Sequence, residues 1–325
     1  MDISLSSGNT PLLHLRRISR IMGCHMYVKF EAANIGGSAA ARVARQYVEE
    51  AAESGRLQKG GCIVEACLPN MAIALAQACA QTDARLMVVM PDDVNPQILP
   101  LLHTMGAEIM LTEASQGFAG AMRKAEEMNR DIWTSCRINI TSNPAGPEAY
   151  RKLLGPEIVR DCESKGFAPD AFIAGVGTGA TMMGAGTYLK EQCGSYLVAV
   201  EPAESAVLSG ETSGQHGIDG IGLGIMPELF KRDAVDEIQK VTAGDAVKSA
   251  RRLLNVEAVC CGASTGACLH AALQLSFRKE FRGKHIVIMG YDTGERYAHR
   301  ALFGQPSKDI LLNSLSDGKK GKQIS

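Results

Sequence analysis

Short apolar runs alternate with longer helical ones along most of the chain, and this alternation restricts the fold more than any other feature. CIVEA (62–66), RLMVVM (85–90), AEIMLT (107–112), DAFIAGV (170–176), SYLVAVEP (195–202), VEAVCCG (256–262) and KHIVIMG (284–290) read as buried strands. PNMAIALAQACAQT, NPQILPLLHTMG, 117–130, TMMGAGTYLKEQ, GDAVKSARRLLN and STGACLHAALQLSFRKEF read as the helices between them. Apolar strands separated by helices indicate βαβ units and parallel sheets covered on both faces, so the fold class is α/β. The number of strands predicts two sheets and two lobes. A smaller lobe spans 36–145, a larger one 1–35 plus 146–309, and the polar 310–325 is a frayed tail.

A chain of 325 residues is long enough for both lobes to bury a core. Lys+Arg 34 against Asp+Glu 35 gives no basic surplus, which argues against a nucleic-acid binder. No apolar stretch is long enough to span a membrane, and the N-terminus lacks a basic and apolar leader, so a cytoplasmic protein is expected. The 10 Cys include no C-x-x-C pair and are expected as buried free thiols. Cys62 and Cys67, beside a strand, carry the alternative of a reactive thiol. No metal cluster is read.

Three loops are glycine-rich. GVGTGAT (175–181) follows a strand and opens a helix, so the N–H groups of 178–181 and the Thr178 and Thr181 hydroxyls can converge on a phosphate; a tight turn alone is the other reading. It is neither G-x-G-x-x-G nor a P-loop. GASTGA (262–267) sets Ser264 at a helix start, either as a cap or pointing into the crevice at the strand ends. The run 216–227 has glycines at 217, 220, 222 and 224, which suit a flat ligand or a flexible loop.

Taken with GNTPLLHL, NIGGS (34–38), SNPAGPEAYRKLLGPEI (142–158), GIGLG (220–224) and DTGERY (292–297), these segments resemble the cysteine synthase (O-acetylserine sulfhydrylase) and cystathionine β-synthase family. That family belongs to the fold-type II pyridoxal-phosphate (PLP) enzymes. The resemblance runs over about residues 6–305, in order. It implies two three-layer α/β/α lobes, tryptophan synthase β-subunit-like. It places Gly177, Thr178, Gly179 and Thr181 at the cofactor phosphate, Ser264 at the pyridine nitrogen, Asn70 at the ring hydroxyl and Gly222 beside the ring.

Members normally read Gly-Gly-Ser-Val-Lys-Asp-Arg, and the lysine forms the Schiff base and moves the α-proton. Here Ala40 stands at that position, in Gly36-Gly37-Ser38-Ala39-Ala40-Ala41-Arg42. A methyl group does neither. Lys29, in the preceding strand, is the nearest substitute. The family's Thr-Ser-Gly-Asn-Thr-Gly substrate loop is Cys67-Leu68-Pro69-Asn70-Met71-Ala72, its Gln aligns with Ile140 and its Thr-Thr with Leu153-Leu154. Hydroxyls and N–H groups for a substrate carboxylate are thereby replaced by apolar groups. Ser38 is expected to cap a helix over SAAARVARQYVEEAAES, with Arg42 and Arg45 as solvated charges.

The resulting expectation is a catalytically inactive, cysteine synthase-like pseudoenzyme, more a non-enzyme than an enzyme. No catalytic residue and no cofactor are expected, and the cleft is less polar and has a ligand- or protein-binding role. The alternatives are a lyase or transferase using non-covalently held PLP or the Cys67 thiol, with His216 as base, and a cysteine synthase active on O-acetylserine. The resemblance also implies a homodimer, with a heteromer with an active paralogue as a further option.

Overall fold

A computed structural model describes residues 7–298 and Leu302. Its strands form two sheets among the described residues. Strands β1 (Leu12–His14), β2 (His25–Phe30), β7 (Ala171–Gly175), β8 (Tyr196–Pro202), β9 (Glu237–Val241) and β10 (His285–Gly290) make a six-stranded sheet in the order β1-β2-β10-β7-β8-β9. Only the β1–β2 pair is antiparallel. Strands β3 (Cys62–Ala66), β4 (Arg85–Pro91), β5 (Ala107–Thr112) and β6 (Ser135–Cys136) make an all-parallel sheet in the order β5-β4-β3-β6.

Helices cover both faces of the larger sheet. Helices α1 (Arg16–Met22), α8 (Ala243–Glu257) and α9 (Ala263–Ser276) bury Ile18, Leu253 and Leu269 against Val28, Ile173, Val198 and Ile288. On the other face α6 (Ala145–Glu163) and α7 (Thr187–Cys193) bury Leu154, Ile158 and Leu189 against Phe172, Leu197 and Val287. That second core continues into the smaller lobe through Val43 and Tyr47 of α2 (Ala41–Glu53) and Leu75 of α3 (Pro69–Cys79). Helices α4 (Ile98–Thr104) and α5 (Gly117–Asp131) complete that lobe with Leu102, Phe118 and Ala121. The architecture is therefore two-lobed α/β/α, as the sequence predicts.

Helix α9 is buried nearly all round, and its composition of small residues is the cause. A Cβ on Gly266 would lie 2.1 Å from the Ala246 carbonyl oxygen, so only glycine lets α8 and α9 approach this closely.

Several local expectations are corrected. VEAVCCG is not a strand. Val256 and Glu257 finish α8, and Ala258 stops it in the left-handed region at φ 57°, where its N–H bonds back to the Leu254 carbonyl. Only a short connector remains before α9. Ser38 does not cap α2. It forms an isolated bridge with Asp292, and its carbonyl accepts from the Ala41 N–H. Arg42 is not solvated: it is 2% exposed and ion-paired to Glu31 and Glu157. The expected tail, 310–325, lies outside the described residues.

Candidate active site

The cleft lies where the strands end. Gly175 at the end of β7, Tyr291 just past β10, and the first turns of α2, α3 and α9 surround one cavity of about 120 Å³. Open α/β sheets bind ligands in such a crevice, and helix N-termini facing it favour negative charge.

The larger lobe supplies a polar wall. After Val176 donates its N–H to the Val200 carbonyl, the chain leaves the sheet. Among the described residues, the N–H groups of Gly177, Thr178 and Gly179 have no acceptor. A Cβ on Gly177 would sit 2.7 Å from the Gly220 carbonyl oxygen, so glycine is required for this approach. The Gly222 N–H, bonded to the Val176 carbonyl at 2.9 Å, fastens the second glycine run beside the first. Gly177, Thr178, Thr181, Gly220 and Ser264 face the cavity. Gly179 and Gly222 do not. Gly179 shapes the turn at φ +88°, with its back to Phe230, and Gly222 packs on Pro202.

Ser264 is not the cap of α9, because that position is Gly262. Ser264 is 2% exposed and lies on the cavity, and its hydroxyl makes no hydrogen bond among the described residues.

The smaller lobe and α2 supply a largely apolar wall: Ala39, Ala40, Val43, Leu68, Met71, Phe118 and Ile140. Ala40 lies on the cavity as the sequence places it. No lysine, arginine, histidine, aspartate or glutamate lines the cavity among the described residues. Lys29 is fully buried elsewhere, its ammonium bonded at 2.6 Å to the Thr10 carbonyl, Asp161 and Glu157, and so cannot stand in for the missing lysine. Leu153 and Leu154 do not reach the cavity.

Asn70 is on the wall, but its amide is committed. Nδ2 donates to Asp292 Oδ2 at 2.6 Å, and Oδ1 accepts from Arg296. Arg296 also holds the Gly36 carbonyl, and Tyr297 donates to Asp292. Burial raises the Asp292 pKa, while Tyr297, Asn70 and Arg296 oppose the rise. The Asn70 amide, expected at the ring hydroxyl, is here bonded to Asp292 and Arg296.

The Cys67 thiol is no nucleophile. It is fully buried and off the cavity, and burial together with nearby Glu65 raises its pKa well above the ordinary thiol value. His216 is spent as well: Nδ1 accepts from the Ile218 N–H, and Nε2 donates to the Gly222 carbonyl at 2.7 Å. All ten cysteines are free, as expected.

Tyr47, Tyr150 and Tyr291 on the cavity are residues the sequence reading missed. Tyr150 donates to the Ala39 carbonyl at 3.0 Å, next to Ala40, and Tyr291 donates to the Gly175 carbonyl at 2.8 Å. Burial raises both phenol pKa values, so both stay neutral. The only signal for Tyr150 was its place in the recognisable run 142–158.

Two buried charges frame the site. Arg42 anchors the start of α2 by pairing with both oxygens of Glu31 and of Glu157 at 2.5–2.9 Å. Glu65, on β3, accepts from the N–H groups of Ile138, Asn139 and Ile140 at 2.8, 2.9 and 3.3 Å and so fixes the loop that presents Ile140.

A two-lobed α/β/α fold with a glycine-rich loop at the strand ends is the architecture of fold-type II PLP proteins. Residues 3–292 match the model of the pyridoxal-phosphate dependent enzyme family, and the chain belongs to that family. It is 36% identical over 304 residues to a cysteine synthase of Staphylococcus aureus, covering 93% of this chain and 96% of that one. The crystal structure of cysteine synthase from Entamoeba histolytica superposes with a TM-score of 0.87 at 34% identity, covering 97% of this chain and 95% of that one. A lysine-to-alanine mutant of O-ureido-L-serine synthase, bound to O-ureido-L-serine, gives 0.89 at 32%, covering 97% and 98%.

These similarities overturn the expectation that the chain is more a non-enzyme than an enzyme. Near-complete alignment with proteins named as synthases places it among enzymes. Among the described residues, no helix is long and apolar enough to cross a membrane, and no cluster of metal ligands occurs.

Proposed function

We propose that this chain is a lyase or transferase of the cysteine synthase type with altered chemistry, which holds PLP without a covalent bond. The observation that carries the reading is the division of one cavity between a donor-rich wall and a wall bearing Ala40. Unpaired N–H groups at 177–179, the glycine-only approach at Gly177 and the free Ser264 hydroxyl suit a phosphate and a ring nitrogen. The cofactor, when bound, supplies an electron sink for bonds broken beside a substrate nitrogen. Thr178 and Thr181 hold the phosphate, Ser264 orients the ring, and Leu68, Met71 and Phe118 exclude water. Neutral Tyr150 gives its one proton to the Ala39 carbonyl and so positions the backbone beside Ala40 rather than acting as a base.

The test is to load the protein with PLP and record absorbance before and after borohydride and gel filtration. Chromophore that binds but washes away after reduction supports the reading. Covalent fixation to the protein refutes it, and so does failure to bind.

The second reading, a cysteine synthase active on O-acetylserine, is favoured by the identity to the staphylococcal protein. Cysteine formed from O-acetylserine and sulfide would establish it. A homodimer is the assembly we propose for either reading, to be checked by light scattering.

A further inference from the structure

We propose that five stacked rings on the larger sheet, those of His14, His25, Tyr27, Phe167 and His285, form an acid-sensitive clasp on the edge strand β1.

His25 and His285 are the first residues of β2 and β10, so they lie at the end of the sheet opposite the cavity. Strand register pairs them with each other, and it pairs His14 of β1 with Tyr27 of β2. His25 stacks on His285 with centroids 4.6 Å apart and planes at 14°. His14 stacks on Tyr27 at 4.6 Å and 20°. Phe167, in the connection after α6, lies against both Tyr27 and His285, at 4.6 and 4.1 Å. Strand β1 has three residues, sits at the sheet edge and pairs on one side only. The ring stack therefore adds side-chain contact to a short backbone ladder.

Face-to-face stacking suits neutral imidazoles. A first proton can rest as a cation over Tyr27 or Phe167. A second puts two like charges into one stack. Arg16, Lys165 and Lys284 add positive charge around the rings, against Glu257 near His14 and Asp170 near His285. Both carboxylates already hold backbone groups, Glu257 the Ile18 N–H at 2.7 Å and Asp170 the His285 N–H at 2.8 Å. His285 Nδ1 is buried without a partner among the described residues, so a proton added there meets no acceptor.

Burial, and after it the neighbouring His25, lowers the pKa of both His14 and His285. Burial raises that of Tyr27, which also faces Cys162 and stays neutral. A histidine whose folded pKa is lowered contributes stability above its unfolded value, about 6.5, and that contribution is lost as pH falls below it. The sheet yields where it is held least, at β1. Upstream of β1, the Asn9 and Thr10 N–H groups bond Glu157 at 2.9 Å, so opening the edge withdraws donors from the carboxylate that pairs with Arg42.

Hydrogen exchange of the full chain, expressed as protection factors, tests the clasp without any ligand. Lowering pH from about 7.5 to about 5.5 should cost peptides covering 12–15 about tenfold more protection than those covering β3 and β4. The double variant His25→Phe, His285→Phe keeps the stack but cannot titrate, and it should lose this difference. Equal loss in both lobes, no loss, or the same difference in the variant overturns the proposal. Nuclear magnetic resonance titration of the wild-type imidazoles is the second measurement, for the case in which the variant does not fold. Coupled titration of His25 and His285, with one step below the ordinary histidine value, supports the clasp. Independent titration of all three histidines at that ordinary value overturns it.

Discussion

Arg296 and Asn70 meet across the mouth of the cleft, the guanidinium donating to the amide oxygen from 226 positions away in the chain. The same guanidinium holds the Gly36 carbonyl, and the Arg296 carbonyl accepts from Asn95 at 3.1 Å. One residue after the last strand of the larger sheet thus ties down three segments of the smaller lobe. Arg296→Ala should lower stability by about 1.5–3 kcal/mol, the usual worth of charge-assisted hydrogen bonds. Urea unfolding followed by circular dichroism measures it.

The second prediction concerns Ala40→Lys. The cavity contains no other amine among the described residues, so this variant should bind PLP covalently, with borohydride fixing the chromophore to the protein. Wild type should release it under the same treatment. Mass spectrometry of the tryptic peptide carrying residue 40 decides the matter.

Glu157 governs acid stability. Burial alone would raise its pKa, but hydrogen bonds and charge from Arg42 and Lys29 bring it down to about 2. A depressed carboxylate pKa stabilises the fold above the unfolded value, and that contribution is lost as pH falls through the folded one. Stability should therefore decline between about pH 4.5 and 2. Glu157→Gln should cost about 3–5 kcal/mol at neutral pH, because Arg42 and Lys29 lose a buried partner. The pH dependence of unfolding should flatten in that variant.

Gly177→Ala should cost about 1–3 kcal/mol by forcing its methyl against the Gly220 carbonyl oxygen. It should also weaken inorganic phosphate and PLP binding together. A variant that folds normally and binds PLP unchanged would show that the loop is only a turn.

Thiol reactivity provides a fifth prediction. Cys193 and Cys260 are partly exposed, whereas Cys67 is fully buried; burial raises all three thiol pKa values, and that of Cys67 well above the ordinary one. Alkylation of the folded protein at neutral pH should label Cys193 and Cys260 first and leave Cys67 until unfolding.

The sheet strands were legible because runs such as CIVEA and AEIMLT are short, apolar and bounded by helical patterns; both strands match to the residue. VEAVCC has the same composition, yet its first two residues extend α8 and the rest has no partner strand, which periodicity does not reveal. The cavity positions of Ala40, Thr178, Thr181 and Ser264 followed from local motifs. What stayed hidden depends on distant pairs. Asn70 is claimed by Asp292, 222 positions on, and Arg42 by Glu157, 115 positions on. Cys67 meets the main expectation of a buried free thiol, because its side chain packs into the core.

The Glu65 anchor separates two jobs that one side chain often performs. Three successive amides at 138–140 are captured from beneath by a single carboxylate, so the loop's course does not depend on what residue 140 projects. The wall chemistry is consequently an exchangeable tile on a fixed frame. In this chain a polar side chain at position 140 would leave the three-amide anchor to Glu65 in place. What the wall offers and how the loop runs are thus set by different atoms of the same residue.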